Sequence, residues 1–225
     1  MPVRRGYRQA CGIARGLDIV GERWSLLIVR ELLLGPKRFT DLRAGLPGAS
    51  PNALTDRLTE LGSSGVVRRR RLPPPAASWV YELTDWGRQL EPMVLALGTW
   101  ALATPARTEQ SFLSIDSLML NIRGFYTPPD DSTARPATIV VRISDDSGTH
   151  AFGVRLDAER AEVSHDLPDQ PDAVITTDIA TLLGVLGDPD RLARTPKRRL
   201  TVTGDTAAAR RLVAGVRPEP AGVPG

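Results

Sequence analysis

Between Ser50 and Leu83 the chain leaves little freedom of interpretation. Ser50-Pro51 is a helix start. A serine hydroxyl accepts from the free amides of a first turn, and a proline at the first position has its φ already set and no amide to orphan. Leu54, Leu58 and Leu61 then recur on one side of a helix. Asn52, Thr55, Asp56 and Thr59 fall on the other side, with Arg57 at the border. Gly62-Ser63-Ser64-Gly65 ends the helix. Val66 to Arg71 reads as a strand carrying four successive arginines, Arg68, Arg69, Arg70 and Arg71. Leu72 to Ser78, with three prolines, is a loop, and Trp79 to Leu83 is the returning strand of a hairpin.

The flanking segments complete a pattern. Ile13, Leu17 and Val20 mark one helix, stopped at Gly21. Trp24, Leu27, Ile28 and Leu32 mark a second, closed by Gly35-Pro36. Phe39, Leu42 and Leu46 give a short third helix before the turn Leu46-Pro47-Gly48-Ala49. After the hairpin, Thr84 or Asp85 caps a long helix with Trp86, Leu90, Met93, Val94, Leu97, Trp100 and Ala101 on one face. Pro92 either kinks that helix or marks its true first turn. The order predicts a mainly α winged helix-turn-helix domain over residues 1–104.

Charge agrees with this division. The net charge of +3 is the sum of two opposite halves. Residues 1–104 net +6 and residues 105–225 net −3, which makes a polyanion the natural partner of the first half. A major groove about 12 Å wide admits one helix. The helix from Ser50 has the apolar face to dock on its domain and short polar side chains for base edges. Its free amides near Ser50 suit a phosphate. Lys37 and Arg38 are expected on phosphate, the four wing arginines on phosphate or in the minor groove, and Asn52, Thr55 and Asp56 on the bases, with Arg57 at the border counted among the DNA-binding residues. Of the 29 basic residues 27 are arginine, the exceptions being Lys37 and Lys197. A GC-rich genome explains such a bias as well as phosphate contact does.

At this point the sequence resembles the HxlR-type winged helix-turn-helix regulators. Cys11-Gly12-Ile13, Leu17 to Trp24, Leu32 to Phe39, Ser50 to Leu58, Leu61, Gly65-Val66-Val67 and Tyr81 to Gly87 carry the resemblance, which covers about residues 8–103. It implies a bacterial transcription regulator that binds a palindromic operator as a homodimer. Two recognition helices would then lie about 34–36 Å apart. The apolar residues Ile13, Leu17, Leu97 and Trp100, in excess of what a small domain buries, are the expected dimer contacts. Cys11 matches the family's N-terminal cysteine, which implies a redox sensor. The next residue is glycine in place of the family's proline, and no second cysteine exists in the chain. A buried structural thiol is the other reading of Cys11.

Residues 105–216 read as a second, α+β domain. A helix over 110–122 carries Phe112, Ile115, Leu118, Met119 and Ile122. Short strands are expected at 138–143, 151–156, 161–164, 173–176 and 200–203, an apolar helix at 178–186 and a last helix from Gly204-Asp205 to about Val213. Thr104-Pro105 is the linker and 217–225 a flexible tail. Asp172 to Asp178, Leu182-Leu183 and Leu200 to Asp205 resemble the sterol-carrier-protein-like fold. That implies an antiparallel sheet under helices, with an apolar effector pocket lined by Phe112, Leu118, Phe125, Phe152, Leu182 and Leu186.

No chemistry-bearing constellation stands out. His150 and His165 lack a ligand cluster, and no phosphate-cradling glycine loop or nucleophile elbow occurs. Neither metal, cofactor nor enzymatic activity is expected. With no signal core and no membrane-length apolar run, a cytoplasmic protein is expected. The resulting expectation is a dimeric DNA-binding regulator that answers to a small apolar ligand. Its rival is a lipid or metabolite carrier whose winged domain serves mainly for dimerisation.

Overall fold

The computed structural model describes residues 6–102, 112–129, 135–146 and 148–216. The expected linker at Thr104-Pro105 and the tail from 217 lie outside the described residues. The chain forms two compact units, Met1–Val94 and Leu95–Gly225.

The first unit contains α1 (Gly12–Val20), α2 (Ser25–Leu32), α3 (Phe39–Gly45), α4 (Pro51–Ser63), β1 (Val67–Arg71), β2 (Trp79–Leu83), α5 (Asp85–Arg88) and the start of α6 (Glu91–Leu102). The fully buried Ile28, Leu32, Leu42, Leu54, Leu61 and Leu83 form its centre. Their burial fixes which face of α4 turns outward. Thr84 caps α5 by accepting from the Gly87 amide at 3.0 Å, and this helix stops after one turn. Pro92 lies in the first turn of α6, where its missing amide costs no helical hydrogen bond. The single long helix expected here is therefore two, and Pro92 marks a start instead of a kink.

The boundary between the units falls inside α6, ahead of Thr104-Pro105. From Leu95 onward this helix packs on α7 (Ile115–Phe125). A Cβ on Gly124 would meet Leu95 at 2.8 Å, and one on Gly98 would lie 3.7 Å from Phe125.

The second unit continues with β3 (Ala137–Asp145), β4 (Gly148–Leu156), β5 (Ala161–Ser164), β6 (Ala173–Asp178), α8 (Ile179–Val185), α9 (Pro189–Arg194), β7 (Leu200–Gly204) and α10 (Thr206–Gly215). One sheet runs in the order β5-β4-β3-β6-β7. Ile139, Val141 and Ile143 alternate along β3 and stand beside Val154 and Phe152 of β4 and Ala173 and Ile175 of β6. All seven are buried, and together they form the face of the sheet on which α7, α8 and α10 lie.

The sheet corrects the antiparallel expectation, because β3 and β6 pair in parallel. After β5 the connection 165–172 crosses β4 to reach the far side of β3. A side chain at Gly153 would collide with the Asp166 carbonyl on that path, so glycine there keeps the crossing open. Asp172 then fixes the start of β6 by accepting from the amide and hydroxyl of Thr138 at 2.6 and 3.0 Å. The short helix α9, capped by Asp188, is absent from the sequence reading. Among the described residues no helix is long and apolar enough to cross a membrane.

Candidate nucleic-acid interface

Local sequence builds α4 as expected. The Ser50 hydroxyl accepts from the Ala53 amide at 3.2 Å and Pro51 opens the helix. Leu54, Leu58 and Leu61 are buried, while Asn52, Thr55, Asp56 and Thr59 are exposed. The Thr55 and Thr59 hydroxyls donate to the carbonyls of Pro51 and Thr55, each at 2.9 Å. Both side chains remain exposed along the helix. Asn52 and Asp56 make no side-chain hydrogen bond to a described residue. This face is neutral or acidic, short and open.

A residue outside the expected site holds the turn before α4. Trp24 has φ 79° at the start of α2, an uncommon region for a bulky side chain. Its indole lies against Gly48, where a Cβ would sit 2.9 Å from Cη2. The Arg23 guanidinium covers the ring at 4.9 Å. Only glycine at 48 lets the turn approach this plate.

The hairpin pairs Arg68 with Glu82, Arg69 with Tyr81, Arg70 with Val80 and Arg71 with Trp79. Arg68 and Arg70 share one face, and both Nε atoms donate to the buried Glu82 carboxylate at 2.7 Å. Burial alone would raise the Glu82 pKa. The hydrogen bonds and charges of Arg70 and Arg68 outweigh it and hold the carboxyl below its ordinary value. On the other face Arg69 stacks over Trp79 at 4.6 Å and lies 5.9 Å from Tyr81. Arg71 donates to the Ala77 carbonyl at 3.3 Å. The wing arginines are exposed or half-buried, but each has a partner that orients it. One signal for this stood in the sequence: Glu82 is the lone carboxylate of the returning strand.

Two expected contacts are corrected. Lys37 points inward. Its backbone exchanges hydrogen bonds with Tyr81 at 2.9 and 2.8 Å, and its ammonium pairs with Glu31, which is 0% exposed and also binds Arg30. A buried carboxylate without such partners would be costly, so Lys37 serves the core. Arg57 is also inward, its guanidinium held by Glu60 at 2.6 Å and near Glu22 at 3.7 Å. It ties α4 to the turn after α1. Arg38 and Ser50 remain exposed.

The other expected residues separate clearly. Ile13, Leu17, Leu97 and Trp100 are exposed, the last by 71%. Cys11 is an exposed cap of α1, its Sγ accepting from the Ala14 amide at 3.5 Å; it is not a buried thiol. In the second unit the residues expected to line an effector pocket differ in exposure. Leu118, Phe152 and Leu182 are packed core, Phe125 and Leu186 are half-buried and Phe112 is exposed, ahead of α7. His165 stacks on Phe152 at 4.6 Å and faces Asp116 at 3.6 Å; His150 faces Asp145 at 3.4 Å.

Comparison with known proteins places this geometry. The model of the HxlR-like helix-turn-helix family matches residues 19–109. The uncharacterized HTH-type transcriptional regulator YvaP of Bacillus subtilis (strain 168) is 40% identical over 87 residues, 39% of this chain and 81% of the relative. The chain belongs to the HxlR-like helix-turn-helix family. Two further relatives from the same organism agree. The uncharacterized regulator YdeP is 35% identical over 41% of this chain and 72% of its own length, and the regulator YodB 35% over 37% and 75%. In this HxlR-family chain the match ends at residue 109, so nearly all of the second unit lies beyond it.

Proposed function

We propose that this chain is a sequence-specific, homodimeric regulator that reads a palindromic operator. Membership of the family makes it a helix-turn-helix transcription regulator; operator type, dimerisation and residue roles are the proposal. One observation carries it: an open polar face on α4 stands in the same unit as a hairpin whose arginines are held in place. Asn52, Thr55 and Asp56 supply base contacts. Arg68, Arg69, Arg70 and Arg71, with Arg38 and the amides behind Ser50, supply phosphate contacts. Exposed Ile13 and Leu17 in the first unit, and exposed Leu97 and Trp100 in the second, support self-association, since large apolar side chains left at a surface mark interfaces. The second unit serves as the effector half, a role supported by its resemblance to the sterol-carrier-protein-like fold and by its lying beyond the family match.

A gel-shift titration on the promoter fragment of the chain's own gene tests this. Tight binding that survives competition by unrelated DNA is expected, weakening steeply with salt. Equal affinity for promoter and unrelated DNA refutes the reading and favours a carrier protein.

A further inference from the structure

Three exposed arginines of the second unit line one cleft. Arg191 and Arg194 stand three residues apart on α9 and so on one side of it. Arg199 arrives from the turn into β7, its carbonyl held by the Thr177 hydroxyl at 3.1 Å. With Ala180, Gly184 and Val185 of α8 they line a cleft of about 340 Å³. The Arg191 guanidinium rests over Gly184, 3.7 Å from where a Cβ would sit.

None of the three forms an ion pair with a described residue. This happens in the half of the chain that nets −3. Asp190 pairs with Arg210 at 3.1 Å, and Asp178 holds the amide and hydroxyl of Thr181, each at 2.7 Å, while the charge of Arg199 reaches it only from a distance, without an ion pair. The carbonyl end of α9 favours positive charge and accounts for Arg191 and Arg194. Asp178 offsets part of the charge of Arg199, which leaves the cleft lined by three guanidinium groups and no ion pair to a described residue. Gathered like charges repel, and a guanidinium fork matches a carboxylate or phosphate in two hydrogen bonds. The cleft is near the lower end of ligand-pocket sizes, roughly 300–1,000 Å³, which suits a small molecule and not a polymer.

We propose that this cleft binds a small organic anion, its carboxylate or phosphate on Arg191, Arg194 and Arg199 and a short apolar body on Ala180, Gly184 and Val185. The consequence for DNA rests on the effector reading above; occupancy of the cleft does not. It also replaces the apolar effector expected from sequence with a charged one.

Titration calorimetry on the full chain, without DNA, is the test. The probes are octanoate and octyl phosphate, with acetate lacking the apolar body and 1-octanol lacking the charge. At least one octyl anion is expected to bind about tenfold more tightly than both controls, and Arg191→Gln/Arg194→Gln to remove about tenfold of that affinity. Arg199→Gln gives a second reading should the double variant unfold. The proposal is overturned if neither octyl anion binds, if acetate or 1-octanol binds as well, or if the variants bind as wild type. It is equally overturned if the variants lose DNA affinity alone, since the arginines then serve the nucleic acid. An empty cleft with specific promoter binding intact sinks only this inference. A filled cleft that leaves promoter affinity unchanged sinks only the effector reading.

Discussion

The outward face of α4 and the hairpin β1-β2 belong to one unit but are built by opposite rules. On α4 the side chains are short and none is charge-paired; their aim comes from the helix, which three buried leucines anchor. On the hairpin they are long and cationic, and each is guided by a neighbour: Glu82 for Arg68 and Arg70, aromatic rings for Arg69, the Ala77 carbonyl for Arg71. The difference follows from what each has to touch. Base edges demand position, which a rigid backbone gives. Phosphates demand charge at reach, and a long side chain reaches usefully only when its rotamers are restricted. Glu82 supplies that restriction and in doing so cancels one of the charges it organises.

The comparison breaks most severely if the support of α4 is removed. Leu54 is 0% exposed, and Leu54→Ala is expected to cost about 2–5 kcal/mol of stability. Thermal or urea unfolding measures it. A cost within experimental error would mean that α4 is not anchored as described.

Asn52→Ala sharpens the comparison from the helix side. It is expected to relax preference at one operator position by roughly 1–3 kcal/mol while leaving affinity for unrelated DNA unchanged. Competition binding with single-base operator variants reads this directly. A uniform loss on all sequences would assign Asn52 to the backbone.

Glu82→Gln sharpens it from the wing side. Removing one negative charge should strengthen binding to every sequence and steepen the slope of log affinity against log salt by at most about one. A fall in affinity on all DNA would show that orientation by the carboxylate matters more than its charge. The smallest effect is the titration of Glu82 itself. Its pKa in the fold lies below 4.5, so its stabilising contribution is complete above that value and fades as pH falls through the folded pKa. Carboxyl NMR should place the midpoint below 4.5, the ordinary value; a midpoint above it would mean the two arginines do not hold the carboxylate.

Much of the first unit was legible in the sequence because its signals are local. Ser50-Pro51, the leucine spacing and the glycines after Leu61 define α4 without reference to the rest of the chain. Lys37 and Arg57 were misread for the same reason. Each looks like surface charge beside a basic segment; the tertiary fold brings Glu31 to Lys37 and Glu22 to Arg57, while Glu60 stands one turn on from Arg57 in α4 itself. Trp24 gave no sign that it holds Gly48. In the second unit the strands were visible as apolar runs, but the parallel pairing of β6 depends on a crossing over Gly153 that no local pattern encodes. Apolar periodicity marks core and cavity alike, so it does not separate Leu118, Phe152 and Leu182 as pocket from the same residues as packed interior. The cleft on α8 and α9 was hidden because α9, at six residues, is too short to show a periodic pattern.

The central claim, that α4 chooses sequence and the wing supplies affinity, meets its most direct test in fluorescence-anisotropy salt titrations. Asn52→Ala/Thr55→Ala and Arg69→Ala/Arg71→Ala would be compared on the operator and on a scrambled duplex. The wing variant should bind both duplexes more weakly by the same factor, with a salt slope reduced by about two. The helix variant should keep its slope and lose only the margin between operator and scrambled DNA. If both variants lose that margin equally, or if the wing variant keeps the wild-type slope, the division between the two regions is wrong.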